Sequence, residues 1–424
     1  MRVETESVFG WPLSFLKRMF RFEIPVISEK YRWLTTAFVV FFTFIFALNF
    51  LATMHLLAYL GPGLGDKPDY TYLLSMIDDL LNRGESVTRR FYFVSFLLLL
   101  ITNVLFRFAM MVWGYLRYET VFGEKFPIRH VVNFMLLNAV SAFSIFLVLF
   151  PLGGLTWLLG FDFSAGWLAV EHMAAMANSW VLAYVPTLID LPTPLPVILV
   201  FTIGGFFHYW FHRIGHSSRL CWLLFHRFHH MTPKLIQPTT QAVFVAVPLF
   251  LFAVIPYVFI FGAITKLFSA EPLYEQIILI NLVWNIGEIF GHQTALYDKA
   301  IRWPLIRWIG YFGSGGIYHY MHHSSKVEHS RSGNNMVNIG GGFFFLWDHV
   351  FGTYTPLSPE RPNVGLTGDP QLYMNPVRLA YSGIMQIVYE LVHNKGWKQR
   401  FLILFGASDY KPPISRNFAI KNPN

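Results

Sequence analysis

Long apolar segments alternate with short polar loops along the first two thirds of the chain. Each apolar segment approaches or exceeds the roughly 20 residues that a helix needs to cross a bilayer. The pattern predicts six membrane spans, near 34–60, 91–113, 131–151, 193–211, 242–265 and 274–292. Pro248 and Pro256 predict a kink in the fifth span. Residues 152–192, rich in Trp, Ala and Gly, fit either a re-entrant or an interfacial segment.

The spans and the polar segments around them predict an all-α fold. We expect a polytopic membrane helical bundle of about six spans with a cytoplasmic helical cap. The expected parts are an N-terminal arm at 1–33, a membrane region at 34–192, a histidine-rich domain at 193–355 and a C-terminal tail at 356–424. Residues 212–241 and 293–424 are expected to be soluble. An amphipathic stretch at about 376–394 fits a helix that lies along the membrane surface.

Composition and charge agree with a membrane protein. The chain is 54% hydrophobic and 13% charged, whereas soluble proteins are about 25% charged. Lys and Arg are frequent up to Arg129, absent from there to Arg213, and frequent again afterwards. Basic residues favour the cytoplasmic side, so both termini and the histidine-rich segments are predicted to be cytoplasmic. This bias also explains the net charge of +8 without a nucleic-acid partner.

Histidine is concentrated in short clusters. Six of the 16 histidines lie in the 23 residues from His208 to His230. Residues three and four apart share a face of a helix, so each cluster predicts several imidazoles from one helical turn. With His292, which stands alone between the clusters, the set has nine imidazoles. These are too many for one tetrahedral zinc ion, and they fit two metal ions. The predicted ligands are His212, His216, His226, His229, His230, His292, His319, His322 and His323.

Four further polar residues are candidates to support the ligands. His208 lies one turn before His212 and is either a tenth ligand or a hydrogen-bonding neighbour. Asn285, Glu288 and His292 form a polar stripe in the sixth span. Glu288 is predicted to accept the N–H of a ligand imidazole, the alternative being that it faces water at the end of the helix. Asp348 is predicted to orient the site.

The order and spacing of these motifs resemble the fatty acid hydroxylase / sterol desaturase superfamily across roughly 195–355. The matching segments are Tyr-Trp-Phe-His-Arg at 209–213 with His216, Leu-Cys-Trp at 220–222, His-x-x-His-His at 226–230, Gly-His-Gln at 291–293, His-x-x-His-His at 319–323, Asn-Ile-Gly at 338–340 and Trp-Asp-x-x-Phe-Gly-Thr at 347–353. The segment Tyr-Trp-Phe-His-Arg also resembles the alkylglycerol monooxygenase-like branch.

The resemblance implies two iron ions held by the histidines at the cytoplasmic ends of membrane helices. Imidazole would also bind zinc in a purified sample. The resemblance further implies O2-dependent hydroxylation, or desaturation, of a C–H bond in a lipid or sterol substrate from the bilayer. The expected location is a bacterial inner membrane or the endoplasmic reticulum. The chain departs from the family at Gly205, where an acidic residue often stands.

External electrons are required, because the chain lacks the motifs that hold electron-transfer cofactors. It has no HPGG-type cytochrome b5 motif, no flavin fingerprint and only one cysteine, Cys221. A cytochrome b5-, ferredoxin- or flavin-type reductase system is therefore the expected partner.

Two alternatives come from other functional classes. A metal or proton transporter would use the histidines as a transit path, but it would place ionisable groups near the bilayer midplane. A membrane cytochrome would pair histidines across spans, for which His55 and His130 are candidates. The histidine clusters instead lie at one predicted membrane face, which disfavours a transporter, and a cytochrome would leave them unexplained.

Overall fold

The computed structural model describes two main parts of the chain. These are 176–232, with a gap at 193, and 290–330 with 336–421; residues 235 and 259–270 and isolated positions within 105–140 and 273–287 are also described. The arm at 1–33 and the first predicted span lie outside the described residues, as do most of the second, third, fifth and sixth spans. The six-span count therefore stays a prediction.

Helix α1, Leu195–Ser217, is the one helix in the described residues that is long and apolar enough to cross a membrane. Pro196 at its start fits the first helical turn, where a proline loses no hydrogen bond. Its 23 residues extend about 34 Å, slightly more than the hydrocarbon thickness of a bilayer. The helix contains most of the predicted span at 193–211 and continues to Ser217, so it carries His212 and His216 beyond the apolar segment.

The chain turns at Ser218, which has extended backbone angles, and continues through three short helical segments. These are α2 at Arg219–Cys221, a π-helical turn at Trp222–His226 and α3 at Arg227–His230. The Ser218 side chain accepts a hydrogen bond from the Cys221 N–H and so caps α2. In the π-helical turn the Arg227 N–H donates to the Trp222 carbonyl, five residues back.

The described structure continues with further helices, most of them short. They include α4 at Tyr297–Ala300, α5 at Pro304–Phe312, α6 at Ile317–His322, α7 at Leu346–Val350, α8 at Pro376–His393 and α9 at Trp397–Phe405. Turns of 3-10 helix occur at Thr294–Leu296 and Val327–His329. Isolated β-bridges, and no strands, occur within the described residues. The expected all-α fold is confirmed for this part of the chain.

Helix α8 corresponds to the amphipathic stretch predicted at 376–394. Asn375 caps it by accepting a hydrogen bond from the Arg378 N–H at 2.8 Å. Its buried face packs against the histidine-rich segment, where Leu379 and Ile387 share a core with Trp222 and Phe228. The domain boundary at 355 remains a prediction, but residues on both sides of it contribute to this one core.

A buried ion pair also joins α8 to the turn after α1. The Arg219 guanidinium donates to both carboxylate oxygens of Glu390, at 2.9 and 2.7 Å. Its remaining donors reach the Ile403 and Tyr410 carbonyl oxygens, each at 3.0 Å. Because both charged groups are almost fully buried, each depends on the other for its solvation. The pair therefore fixes α8 against the segment that leads to His226.

Close backbone contact explains why the chain has glycine at 205. A Cβ built on Gly205 would overlap the backbone nitrogen of Gly342, and one on Gly341 would overlap the Gly205 carbonyl oxygen. Gly341 and Gly342 also have positive φ angles of 115° and 75°, which favour glycine. The acidic residue that often stands at this place in the family would not fit between α1 and this loop.

We expect Gly205→Ala to lower the free energy of unfolding by about 1–3 kcal/mol or more, because the added methyl overpacks this contact. Gly313→Ala is the matched control. A Cβ there meets its nearest described atom, the Ile309 carbonyl oxygen, at an ordinary 3.4 Å. Thermal unfolding of both purified variants in the same detergent measures the difference. Equal stability of the two variants would contradict the close approach.

We expect Glu390→Ala to cost about 3–5 kcal/mol of stability, because it leaves the Arg219 charge buried without its partner. Asp298→Asn is the control: the pair that Asp298 makes with Arg361 is partly exposed and is expected to contribute about 1 kcal/mol or less. Denaturant or thermal unfolding in detergent compares them. A Glu390→Ala protein as stable as Asp298→Asn would show that the buried pair does not hold α8.

Candidate metal centre

The structure brings all nine predicted ligands together. Eight of them form two groups of four, and in each group one nitrogen from every histidine lies within 4.8 Å of the others. Group one consists of His212, His216, His226 and His322, and group two of His229, His292, His319 and His323. Each group has the number of donors that a tetrahedral metal ion takes.

His230 lies between the two groups. Its Nε2 is 3.2 Å from the His226 Nε2 and 3.1 Å from the His322 Nε2, both in group one. Its ring also stacks on that of His323 in group two, with the centroids 4.4 Å apart. The two groups are therefore adjacent parts of one cluster of imidazoles.

The second and third histidine motifs each contribute ligands to both groups, rather than each motif binding one metal ion. His226 belongs to group one and His229 to group two, and the third motif divides in the same way between His322 and its neighbours. Positions 226 and 229 are only about 60° apart around an α-helix. Helical spacing alone therefore does not explain this division, which depends on how the separate segments face one another.

Backbone carbonyl groups fix two of the imidazoles. His212 Nδ1 lies 2.6 Å from the Ile339 carbonyl oxygen, and His322 Nδ1 lies 2.8 Å from that of Val337. Because a carbonyl oxygen can only accept, both Nδ1 atoms carry the proton. The Nε2 atom of each neutral ring then presents a lone pair to group one.

Close contacts join the Nε2 atoms around group one. His226 Nε2 lies 3.2 Å from His212 Nε2, and His230 Nε2 lies 3.1 Å from His322 Nε2. The Nε2 atoms of His226 and His230 are themselves 3.2 Å apart. A cation bound among these atoms would share the lone pairs of His212 and His322.

The spacing of the nitrogen atoms also fits a metal ion. The Nε2 atoms of His216 and His322 are 3.1 Å apart, as are those of His319 and His323. Two imidazole nitrogens about 2.1 Å from one metal ion are roughly 3.0–3.4 Å apart at octahedral or tetrahedral angles. The donor set therefore fits two ions that accept imidazole, such as iron or zinc.

Burial keeps the ligands neutral. Removal from water, followed by the other imidazoles close by, lowers the pKa of His226, His230 and His322 well below the usual histidine value. The same causes lower the pKa values of His319 and His323. A neutral imidazole has a lone pair for a metal ion, so the rings are ready to bind at neutral pH.

Asp348 supports the ligands through the loop that carries the two carbonyls. Its carboxylate accepts hydrogen bonds from the Ile339 N–H at 2.7 Å, the Gly340 N–H at 2.9 Å and the Thr353 hydroxyl at 2.7 Å. Burial raises the pKa of Asp348, and these donors oppose the rise. The carboxylate thus holds the backbone against His212 without contacting a ligand ring in the described structure.

Trp222 and the two carbonyl groups were not among the site residues predicted from the sequence. The buried Trp222 ring lies 5.4 Å from the ring of His216 and 5.6 Å from that of His230. It closes one side of group one. Its place in the Leu-Cys-Trp segment was a usable signal. The carbonyl groups gave no signal in the sequence, because every residue has a backbone carbonyl.

The remaining predicted site residues have different outcomes. His208 is exposed on α1 and belongs to neither group, although its ring centroid is 6.1 Å from that of His212. Glu288 and Asn285 lie outside the described residues, so their supporting roles remain predictions.

Comparison with known proteins identifies the segment that carries the site. The family model described as fatty acid hydroxylase matches residues 197–353, from α1 to the threonine that donates to Asp348. All nine histidines lie in this range. Searches of curated proteins and of solved structures find no significant match.

We expect Asp348→Asn to weaken metal binding about 10–100-fold, the usual cost of losing a group that supports a ligand. An amide has one accepting oxygen, so its NH2 group would face at least one of the three donors. Metal titration of the chelator-treated protein measures the change. Glu328→Gln, at an exposed acid of the same region, should bind like the wild type. Unchanged affinity in Asp348→Asn would contradict the role given to the loop.

Proposed function

We propose that this chain is a membrane-bound non-haem di-iron oxygenase of the fatty acid hydroxylase superfamily, whose family model matches residues 197–353. It uses O2 and electrons from another protein to hydroxylate, or desaturate, a C–H bond of a lipid or sterol. The observation that carries the proposal is the pair of adjacent four-histidine groups.

The ligand set favours redox metal chemistry over acid–base catalysis. The described site consists of neutral imidazoles with no carboxylate among the two groups. An iron pair bound there would supply the O2 activation that attack on an unactivated C–H bond needs and that no side chain provides. In hydroxylation, one oxygen atom enters the substrate and the other leaves as water, using two electrons and two protons.

The protein residues hold this centre in a fixed geometry and away from water. Val337 and Ile339 set the orientation of two rings through their carbonyl groups. Trp222 covers group one, and most of the ligands are buried. Exclusion of water strengthens these interactions and limits side reactions of a strong oxidant.

The position of the ligands on α1 supports a substrate that comes from the bilayer. His212 and His216 follow directly on the apolar part of this helix, and Phe207 and Phe211 on the same helix are exposed. A lipid chain could therefore approach the histidines without leaving an apolar environment. The Lys and Arg distribution supports a site that faces the cytoplasm, where a soluble or membrane-bound reductase would deliver the electrons.

The transporter alternative receives less support. Transport requires groups arranged along a path through the bilayer. The nine histidines instead form one compact cluster beside the end of α1. Metal uptake by proteoliposomes is the direct test of that alternative.

We expect the purified wild-type protein to contain two metal ions per chain, mainly iron when iron is supplied during expression. His216→Ala in group one and His292→Ala in group two should each lower the metal content and reduce activity to background. His393→Ala, at an exposed histidine outside the site, should leave both unchanged. Elemental analysis measures the metal. One ion per chain in the wild type would contradict the binuclear centre.

The reaction itself is tested separately, by lipid analysis of a deletion strain. Complementation with the wild-type gene should produce lipids that have gained one oxygen atom or lost two hydrogen atoms. The His230→Ala gene should not restore them, although its product remains in the membrane. Restoration by His230→Ala, or identical lipids in all strains, would contradict the proposed oxygenase.

A further inference from the structure

Helix α5, Pro304–Phe312, presents its apolar face outward. Its exposed apolar residues are Leu305, Trp308, Ile309 and Phe312, with exposed fractions of 67%, 58%, 49% and 36%. They occur at positions i, i+3, i+4 and i+7, which lie on one side of an α-helix. A surface helix in water would place such a stripe inward. Here the inward side carries Ile306, Gly310 and Tyr311 instead.

Both ends of this segment are connected to predicted membrane spans. Before α5, the Lys299 ammonium lies 5.0 Å from the centre of the Trp113 ring, at the predicted end of the second span. At the other end, the Phe312 ring packs on that of Phe343, which packs on Phe201 of α1; both centroid distances are 4.7 Å. The segment around α5 therefore contacts the predicted end of one span at Lys299 and reaches the apolar part of α1 through Phe343.

The charges around the helix complement phosphate headgroups. No acidic residue occurs between Asp298 and Glu328, while Arg302 and Arg307 are exposed at the start of α5. Trp303, also exposed, lies beside them. Arg with Trp is typical of the membrane–water interface, where the cation meets phosphate and the indole ring meets the acyl boundary. No charged residue follows Arg307 in α5.

We propose that α5 is a re-entrant membrane helix that faces lipid. It starts among the headgroups at Arg302 and Trp303 and descends along its stripe to Phe312. The chain returns through the tight turn at 313–316 into α6, which carries His319 and His322. The third histidine motif is thereby anchored in the bilayer, in contrast to the expectation that residues 293–424 are soluble.

Spin labels on single cysteines test the position of the stripe in the full chain. Cys221 is the only cysteine, so its replacement by serine gives a clean background. Leu305→Cys, Ile306→Cys and Ile309→Cys, labelled one at a time, are reconstituted into phosphatidylcholine–phosphatidylglycerol vesicles. Power saturation with oxygen, which concentrates in lipid, and with a water-soluble nickel chelate reports the surroundings. Glu328→Cys, at a side chain that is 69% exposed, is the control in water.

Lipid contact predicts an oxygen-to-nickel accessibility ratio several-fold higher at positions 305 and 309 than at 328. The oxygen accessibility should be lowest at position 306, because Ile306 packs inward. High nickel accessibility at 305 and 309 would overturn the proposal, because the stripe would then face water. Low accessibility to both reagents would also overturn it, because another span or a second copy of the chain would then cover the stripe. Neither accessibility measurement requires bound metal or enzymatic turnover.

A second measurement uses the unaltered chain. A photoactivatable phospholipid with its reactive group in the acyl chain is incorporated into the same vesicles, and labelled peptides are located by mass spectrometry. Labelling at Trp308 and Phe312 supports lipid contact. Labelling confined to other segments, with none in 304–312, overturns it even if a cysteine variant fails to fold.

Discussion

The described structure depends on a cluster of buried imidazole nitrogens, which are costly to bury unless a donor or a cation shares their lone pairs. In group one, two rings donate their Nδ1 protons to the Val337 and Ile339 carbonyls and present their Nε2 lone pairs to the centre of the group. A cation bound there would share these lone pairs, and its binding energy would then stabilise the fold.

The scaffold around the rings is fixed mainly by contacts that tolerate little change. Gly205 allows the loop at 340–342 to lie directly on α1, which brings the Ile339 carbonyl to His212. Asp348 holds the same loop by two backbone N–H groups. On the other side, the buried pair of Arg219 and Glu390 fixes α8 behind the second histidine motif. These three contacts come from distant parts of the sequence and meet at one site.

The sequence predicted the chemistry of the site better than its geometry. Repeated spacings of three and four residues were sufficient to select eight of the nine histidines, and the resemblance at 291–293 added His292. The apolar run before His212 predicted most of α1. The assignment of His229 and His226 to different groups was not predictable, because it depends on how three separate segments face one another. The Ile339 carbonyl could not be found either, since backbone groups carry no residue-specific signal. The role of Glu390 could not be found either, because its partner Arg219 lies 171 residues away in the sequence.

The π-helical turn at Trp222–His226 makes the length of this segment matter more than most of its residue types. A π-helical turn amounts to one extra residue in an α-helix. Loss of one residue there would rotate everything after it by about 100° relative to α2. His229 and His230 would then leave their present neighbours, although no ligand had been replaced. An apolar replacement of the partly buried Leu224 would keep this register, whereas an insertion or a deletion would not. In such a segment the number of residues carries functional information that a comparison of residue types alone does not register.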